Sequence, residues 1–242
     1  METYKDVIVT GGSGLLGCEL KLLMPDACYP TSKEFNITNY EQMDKFLEIH
    51  ERLYFCTMVH CAAFVSPPMI DKDIIKAIDT NIIGTANVVK LCHKYTIKLI
   101  YICTDYVFNG NVGNYCEEDS VHPINKYGWS KLGGETAVRL YDNSLIVRLS
   151  FGKKVFPYDA AFTDQITSRE PVDKIAVKIQ KLVDKTNLYG VINIGQDPIT
   201  VYDYAKSLDP SREIKKMSIK DIIFKVPQNT SLDTTKYKNL NL

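Results

Sequence analysis

The run Thr10-Gly11-Gly12-Ser13-Gly14-Leu15-Leu16-Gly17 constrains this chain more than any other feature. It follows a short β-branched segment, Asp6–Thr10, and opens an apolar helical pattern at Leu15, Leu16, Leu20 and Leu23 that Pro25 closes. Gly11 permits a tight turn, Gly14 lets a pyrophosphate approach the backbone, and Gly17 lets the helix pack closely. The helix N-terminus then offers unpaired N–H groups and a positive dipole end to an anion. A glycine loop placed at a first strand–helix junction predicts a dinucleotide-binding α/β sheet.

The chain continues to alternate. Strands are predicted at Ala27–Thr31, Thr57–Cys61, Lys98–Cys103 and Ser144–Leu149, and helices at Tyr40–Glu51, Asp71–Tyr95 and Lys126–Tyr141. Short apolar strands separated by helices pair in parallel, with both faces covered, and right-handed crossovers wind them into a doubly wound sheet. Residues 1–150 are therefore read as the dinucleotide-binding domain. Residues 151–242 are read as a small substrate lobe with one strand returning to the sheet. It contains a helix at Val172–Lys185, a strand at Tyr189–Ile194 and a helix at Val201–Leu208.

Composition excludes some partners. The 29 basic and 29 acidic side chains cancel, leaving no basic surplus for nucleic acid. No apolar run reaches the roughly 18 residues of a membrane span. The opening METYKDVIV carries two acids and lacks a signal-peptide pattern. Cys18, Cys28, Cys56, Cys61, Cys92, Cys103 and Cys116 are odd in number and without C-x-x-C spacing, so they read as buried, reduced thiols of a cytoplasmic protein, with no metal site.

Ligands of a doubly wound sheet lie beyond the carboxyl ends of the strands. After the second strand comes Tyr29-Pro30-Thr31-Ser32-Lys33, with no acid before Glu34. Ser32 can hydrogen-bond a ribose 2′-phosphate and Lys33 can neutralise it, which favours NADP(H) and leaves NAD(H) admissible. Three Tyr/Lys pairs stand four residues apart: Tyr29/Lys33, Tyr127/Lys131 and Tyr202/Lys206. Pro30 interrupts the first, and the third has no hydroxyl motif before it. Tyr127/Lys131 opens the helix that follows a strand ending at Thr104. On that helix the two side chains share a face. A neighbouring ammonium and an oxidised nicotinamide are both expected to lower the phenol's pKa from near 10, making Tyr127 a proton donor to a carbonyl, with Thr104 hydrogen-bonding the same oxygen. Ser66, Asp105 and Tyr106, just after strands, are candidate substrate contacts. His60 reads as packed rather than catalytic.

Together these residues resemble the extended branch of the short-chain dehydrogenase/reductases, with its Rossmann-type fold, and more narrowly the dTDP-4-dehydrorhamnose reductase family. The resemblance rests on Thr10–Gly17, His60-Cys61-Ala62-Ala63, Asn81, Thr104-Asp105-Tyr106-Val107-Phe108-Asn109-Gly110, and Tyr127 to Lys131 with Gly134-Glu135. Asp164-Gln165, Asn193-Ile194-Gly195 and Asn229–Asp233 extend it into the tail. It implies NADP(H)-dependent reduction of the 4-keto group of a nucleotide-linked 4-keto-6-deoxyhexose, and a homodimer built on paired helices. It also implies a catalytic set of Thr104, Tyr127 and Lys131. Gly11, Ser13, Gly14, Leu15, Gly17, Asn36, Ile37, Cys61, Ala62 and Ala63 would hold the cofactor. The chain departs from the family at Cys103, where a Ser is usual, at Asn36, where an Asp is usual, and in a shortened stretch after Gly152. It also resembles the NADP-binding regulatory subunit of methionine adenosyltransferase. Nucleotide-sugar epimerases and dehydratases are a third relation.

Overall fold

Alternate residues of each short strand pack against opposite helical layers, as a parallel sheet buried on both faces requires. Val7 and Val9 join one core cluster while Ile8 joins the other. The structure, a computed structural model, describes residues 3–50 and 54–242. Strands β1 (Val7–Thr10), β2 (Thr57–His60), β3 (Lys98–Ile102), β4 (Ser144–Arg148) and β5 (Gly190–Asn193) form one parallel sheet in that order.

One face is covered by α1 (Leu15–Leu23). It packs with Leu16 and Leu20 beside Ile175, Ile179 and Leu182 of a helix at Val172–Val183. Each fully buried aliphatic side chain contributes roughly 1.5–3 kcal/mol. The other face is covered by α2 (Tyr40–Ile49), by a helical stretch ending at Tyr95, and by a helix at Lys126–Val138. The C-terminal portion thus divides. Val172–Val183 and β5 complete the sandwich, while Phe156, Ala161, Val201, Tyr204, Ala205 and Ile214 form a separate small cluster. Among the described residues, three two-stranded ribbons lie beside the sheet; in one, Phe151–Gly152 pairs in parallel with Glu170–Pro171.

Several expectations need correction. The strand at Ala27–Thr31 is reduced to a single bridge between Cys28 and Ile8. Pro30 has no N–H to donate, and the Tyr29 hydroxyl turns back to donate to the Met24 carbonyl at 3.1 Å. The helix expected over Asp71–Tyr95 is broken. It begins earlier as α3 (Pro67–Lys72), is interrupted at Asp73, and restarts as α4 (Ile74–Ala77), capped where the Asp73 carboxylate accepts from the Lys76 amide at 3.0 Å. A wider π-helical turn, Ile78–Gly84, leads into α5 (Thr85–Tyr95). Ile74, Ile75, Ile78 and Ile83, apolar residues within the expected helix, are exposed. Of the cysteines read as buried, Cys92 and Cys103 are so, whereas Cys18 and Cys56 are exposed. Met1, Glu2 and the predicted helix end at Glu51 lie outside the described residues. Among the described residues no helix is long and apolar enough to cross a membrane.

Candidate active site

The carboxyl ends of β1 to β4 open into one cleft of about 380 Å³. At its β1 end the backbone turns at Gly11, where φ is +73° and a Cβ would stand 2.7 Å from the Ala62 amide. A side chain at Gly17 would overlap the Gly11 carbonyl and the Gly12 backbone, so α1 sits tightly on its own loop. Gly14 is the residue before the first turn of α1. Loop and helix terminus present their backbone in the arrangement that suits an anion.

The helix α6 (Lys126–Val138) starts at a cap in which the Asn125 side chain accepts from the Gly128 amide at 2.8 Å. This fixes Tyr127 in the first turn and Lys131 one turn later. The π-helical turn inserts Asn81, fully buried, between two segments. Asn81 bonds both backbone groups of Phe64, at 2.7 and 2.9 Å, and donates to the Ser130 hydroxyl at 2.9 Å. That ties the loop after β2 to α6. His60 is buried between the Thr10 and Thr85 hydroxyls, at 2.7 and 3.1 Å. Burial, with help from the Lys131 charge, pushes its pKa down to about 3, so it is a neutral packing residue.

Thr104, beyond the end of β3, accepts from the Tyr106 amide and donates to the Asp105 carboxylate at 3.1 Å. Asp105 is held from its other oxygen by the Thr167 and Thr230 hydroxyls, at 3.1 and 2.6 Å. Burial raises its pKa, against the pull of the Thr230 bond and the Arg169 charge. Tyr106 stands edge-on to Tyr127, with ring centres 5.9 Å apart, and its hydroxyl accepts from Gln165 at 2.8 Å.

In the protein alone, the Lys131 charge is not among the groups that move the Tyr127 pKa. Burial pushes the phenol well above its ordinary value, opposed by the Thr104 hydroxyl within hydrogen-bonding reach. The Lys131 ammonium lies 4.2 Å from the centre of the Tyr101 ring. Burial lowers its own pKa to about 8, offset by Cys103, Cys61 and Glu135. So raised, the phenol carries its proton at neutral pH but is a weaker acid than a free tyrosine, because burial disfavours the phenolate.

The cleft brings together Gly11, Gly14, Leu15 and Gly17 with Cys61 and Ala63, and with Thr104, Asp105, Tyr106, Tyr127 and Lys131. Other candidates stand apart from it. Ser13, Ser32 and Lys33 are exposed on loops, and Ala62 braces the Gly11 turn from behind. Ser66 precedes α3, between Val65 and Pro67, which do line the cleft. Asn36 spends its carbonyl oxygen on Thr38, and Ile37 is buried in the core. The Glu34 carboxylate turns back to accept from the Thr31 amide and hydroxyl at 2.9 and 2.7 Å. Ser150, Phe151 and Arg169 line the cleft and were missed. The carboxyl-end rule would have found the first two, since they follow β4. Arg169 arrives only through the ribbon that pairs Phe151–Gly152 with Glu170–Pro171.

The sheet, its glycine loop and this cleft define a Rossmann-type dinucleotide-binding protein of the short-chain reductase kind. The chain belongs to the RmlD substrate binding domain family, whose model matches residues 5–179. It is 27% identical to bovine methionine adenosyltransferase 2 subunit beta, over 98% of this chain and 82% of that one. It is 25% identical to dTDP-4-dehydrorhamnose reductase of Aggregatibacter actinomycetemcomitans, over 97% and 86%. Among solved structures, dTDP-4-dehydrorhamnose reductase from Bacillus anthracis in complex with NADP superposes with a TM-score of 0.85 at 27% identity, covering 97% of this chain and 91% of that one.

Proposed function

We propose that this chain is an oxidoreductase that reduces the 4-keto group of a nucleotide-linked 4-keto-6-deoxyhexose of the dTDP- or UDP-4-dehydrorhamnose type, in deoxysugar synthesis. The convergence of Tyr127, Lys131 and Thr104 in one cleft with the Gly11–Gly17 loop carries this reading. Residues 1–150 hold the dinucleotide, and 151–242 supply the substrate lobe while returning a helix and strand β5 to the sheet. NADP(H) is preferred, through Ser32 and Lys33, and NAD(H) is accepted. Bound there, the nicotinamide supplies a hydride to the carbonyl carbon. Tyr127 hands its phenolic proton to the carbonyl oxygen, Thr104 orients that oxygen, and Lys131 holds the nicotinamide ribose. The test is oxidation of NADPH by the purified chain with dTDP- and UDP-4-keto-6-deoxyhexoses.

Two further outcomes check the cofactor half. Gly14→Val places a branched side chain where the pyrophosphate must approach, and is expected to remove NADPH binding measured by fluorescence. Unchanged binding contradicts the loop's assignment. The Lys131 ammonium is lost as pH rises through about 8. NADPH affinity is therefore expected to fall above that pH with a one-proton slope, and the slope is expected to be absent in Lys131→Met.

A second reading follows from the likeness to the methionine adenosyltransferase subunit. In it, the chain binds NADP(H) and a partner enzyme without turnover. NADPH binding with no oxidation by any 4-keto nucleotide sugar favours that reading.

A further inference from the structure

A hydroxyl has one hydrogen to give. In the structure the Thr104 hydroxyl gives its hydrogen to Oδ1 of Asp105 at 3.1 Å and accepts from the Tyr106 amide at 3.2 Å. The reaction proposed for the cleft needs that hydrogen elsewhere. It has to turn to the carbonyl oxygen of the substrate, and to the Tyr127 oxygen once the phenol has lost its proton. Asp105 is buried, and a buried carboxylate resists losing a donor unless others hold its charge.

Two threonines from the C-terminal portion supply those donors. Thr230 and Thr167 are both buried and both donate to the other carboxylate oxygen, Oδ2, at 2.6 and 3.1 Å. Thr167 stands on the ribbon that pairs Ile166–Thr167 with Ile199–Thr200. Thr230 belongs to a strap threaded between that ribbon and the loop at 110–115. The Asn229 amide donates to the Gly110 carbonyl at 2.9 Å, the Thr230 amide to the Ile166 carbonyl at 2.9 Å, and the Tyr115 amide to the Ser231 carbonyl at 2.9 Å. A side chain at Gly110 would overlap Pro227, and one at Gly113 would overlap Asn229, so the strap lies hard against its neighbours. Valine has the shape of threonine, so packing alone does not call for a hydroxyl at Thr230.

The groups around Tyr127 decide how much the Thr104 hydrogen matters. Cys103, Asp105 and Tyr106 face the phenol and each disfavours its ionised form, whereas the Thr104 hydroxyl favours it. Arg169 offsets the charge of Asp105, and Lys131, one turn along α6, lies over the Tyr101 ring. Thr104 is thus the hydroxyl that steadies the phenolate, and Asp105 competes for its hydrogen.

We propose that Thr230, with Thr167 beside it, is a positioning residue of the reaction: by holding Asp105 from the C-terminal strap it releases the single hydrogen of Thr104 to the oxygens in the cleft. The proposal rests on the reduction described under the proposed function. No bond is made or broken in this step; one hydrogen bond turns from Asp105 to the cleft, and two remain on the carboxylate.

The test compares the wild-type chain with Thr230→Val, Thr230→Ser and Ser231→Ala. Ser231 shares the strap, donating to Asn229 and accepting from the Asn114 amide, but its hydroxyl is bonded to neither Asp105 nor Thr104. With NADPH and dTDP- or UDP-4-keto-6-deoxyhexoses, Thr230→Val is expected to lower kcat about tenfold, the effect of one charge-assisted hydrogen bond, with KM and NADPH affinity within a factor of about two. Thr230→Ser recovers most of the loss and Ser231→Ala shows none. With 3-fluorotyrosine in place of Tyr127 and NADP⁺ bound, titration followed by fluorine NMR is expected to ionise the phenol about one pH unit higher in Thr230→Val than in the wild type. An unchanged kcat or an unchanged phenol midpoint in Thr230→Val overturns the role of Thr230 alone. So does an equal loss in Thr230→Ser or Ser231→Ala, because the strap's fastening is then what matters. A wild-type chain that turns over none of these sugars overturns the reduction itself, a result visible before any variant is made.

Discussion

Replacing Tyr127 with phenylalanine is expected to lower turnover by about 10²–10⁴-fold while leaving NADPH affinity within a factor of about two. The substitution removes one oxygen from a ring whose position is otherwise fixed. The Asn125 cap, the Ser130 hydroxyl donating to the Tyr127 carbonyl at 2.8 Å, and the edge contact with Tyr106 all remain. What is lost is the proton. The phenol carries its proton at neutral pH, and in the proposed reduction that proton goes to the carbonyl oxygen as hydride reaches the carbon. Neither Lys131, turned over the Tyr101 ring, nor Thr104, donating to Asp105, stands ready in its place. Steady-state NADPH oxidation beside fluorescence titration separates the two quantities. Turnover unchanged in Tyr127→Phe contradicts the phenol's role; turnover and binding lost together point to a collapsed cleft.

The largest effect on stability is expected from Glu135→Leu. Glu135 and Arg148 have fully buried side chains paired at 2.7 Å, and Arg139 adds a second guanidinium to the same carboxylate oxygen at 2.8 Å. Arg148 also donates to the Glu117 carbonyl and lies 5.0 Å from the centre of the Phe108 ring. Removing the carboxylate leaves a buried guanidinium uncompensated, which costs about 3–5 kcal/mol in urea unfolding. Replacing both partners with apolar residues of similar volume is expected to recover most of that loss, because neither charge is then stranded. Burial alone would raise the Glu135 pKa, but the Arg148 bond and charge overcome it and hold the carboxyl below its usual range. The pair's contribution is therefore fully present at neutral pH. It fades as pH falls below the unfolded carboxylate value, near 4.3, through the lower folded one. Cys103 donates its thiol to the same carboxylate at 3.2 Å and precedes Thr104, so Glu135→Leu is also expected to loosen Thr104.

Much of this molecule was legible in the chain because its signals are local. Gly11 must turn with positive φ and Gly17 must pack without a side chain, and both needs are written in the spacing. Thr104, Tyr127 and Lys131 could be singled out because each follows a strand or opens a helix. The failures share a physical cause. The break at Asp73 and the wide turn around Asn81 leave apolar periodicity nearly unchanged, so pattern alone reads through them. The second strand was lost to Pro30 and to Tyr29 turning back on Met24. Arg169 has no local mark, and only pairing across the Phe151–Gly152 ribbon brings it to the cleft. The direction of the Tyr127 shift depends on burial and on where the Lys131 chain points, neither of which a four-residue spacing fixes.

The most direct measurement is the fate of a labelled hydride. With NADPH deuterated at C4 of the nicotinamide and a dTDP-4-keto-6-deoxyhexose, the expected product carries deuterium at C4 of the sugar and is absent with Tyr127→Phe. NADPH bound to the chain, with no deuterium reaching any 4-keto nucleotide sugar, contradicts the account.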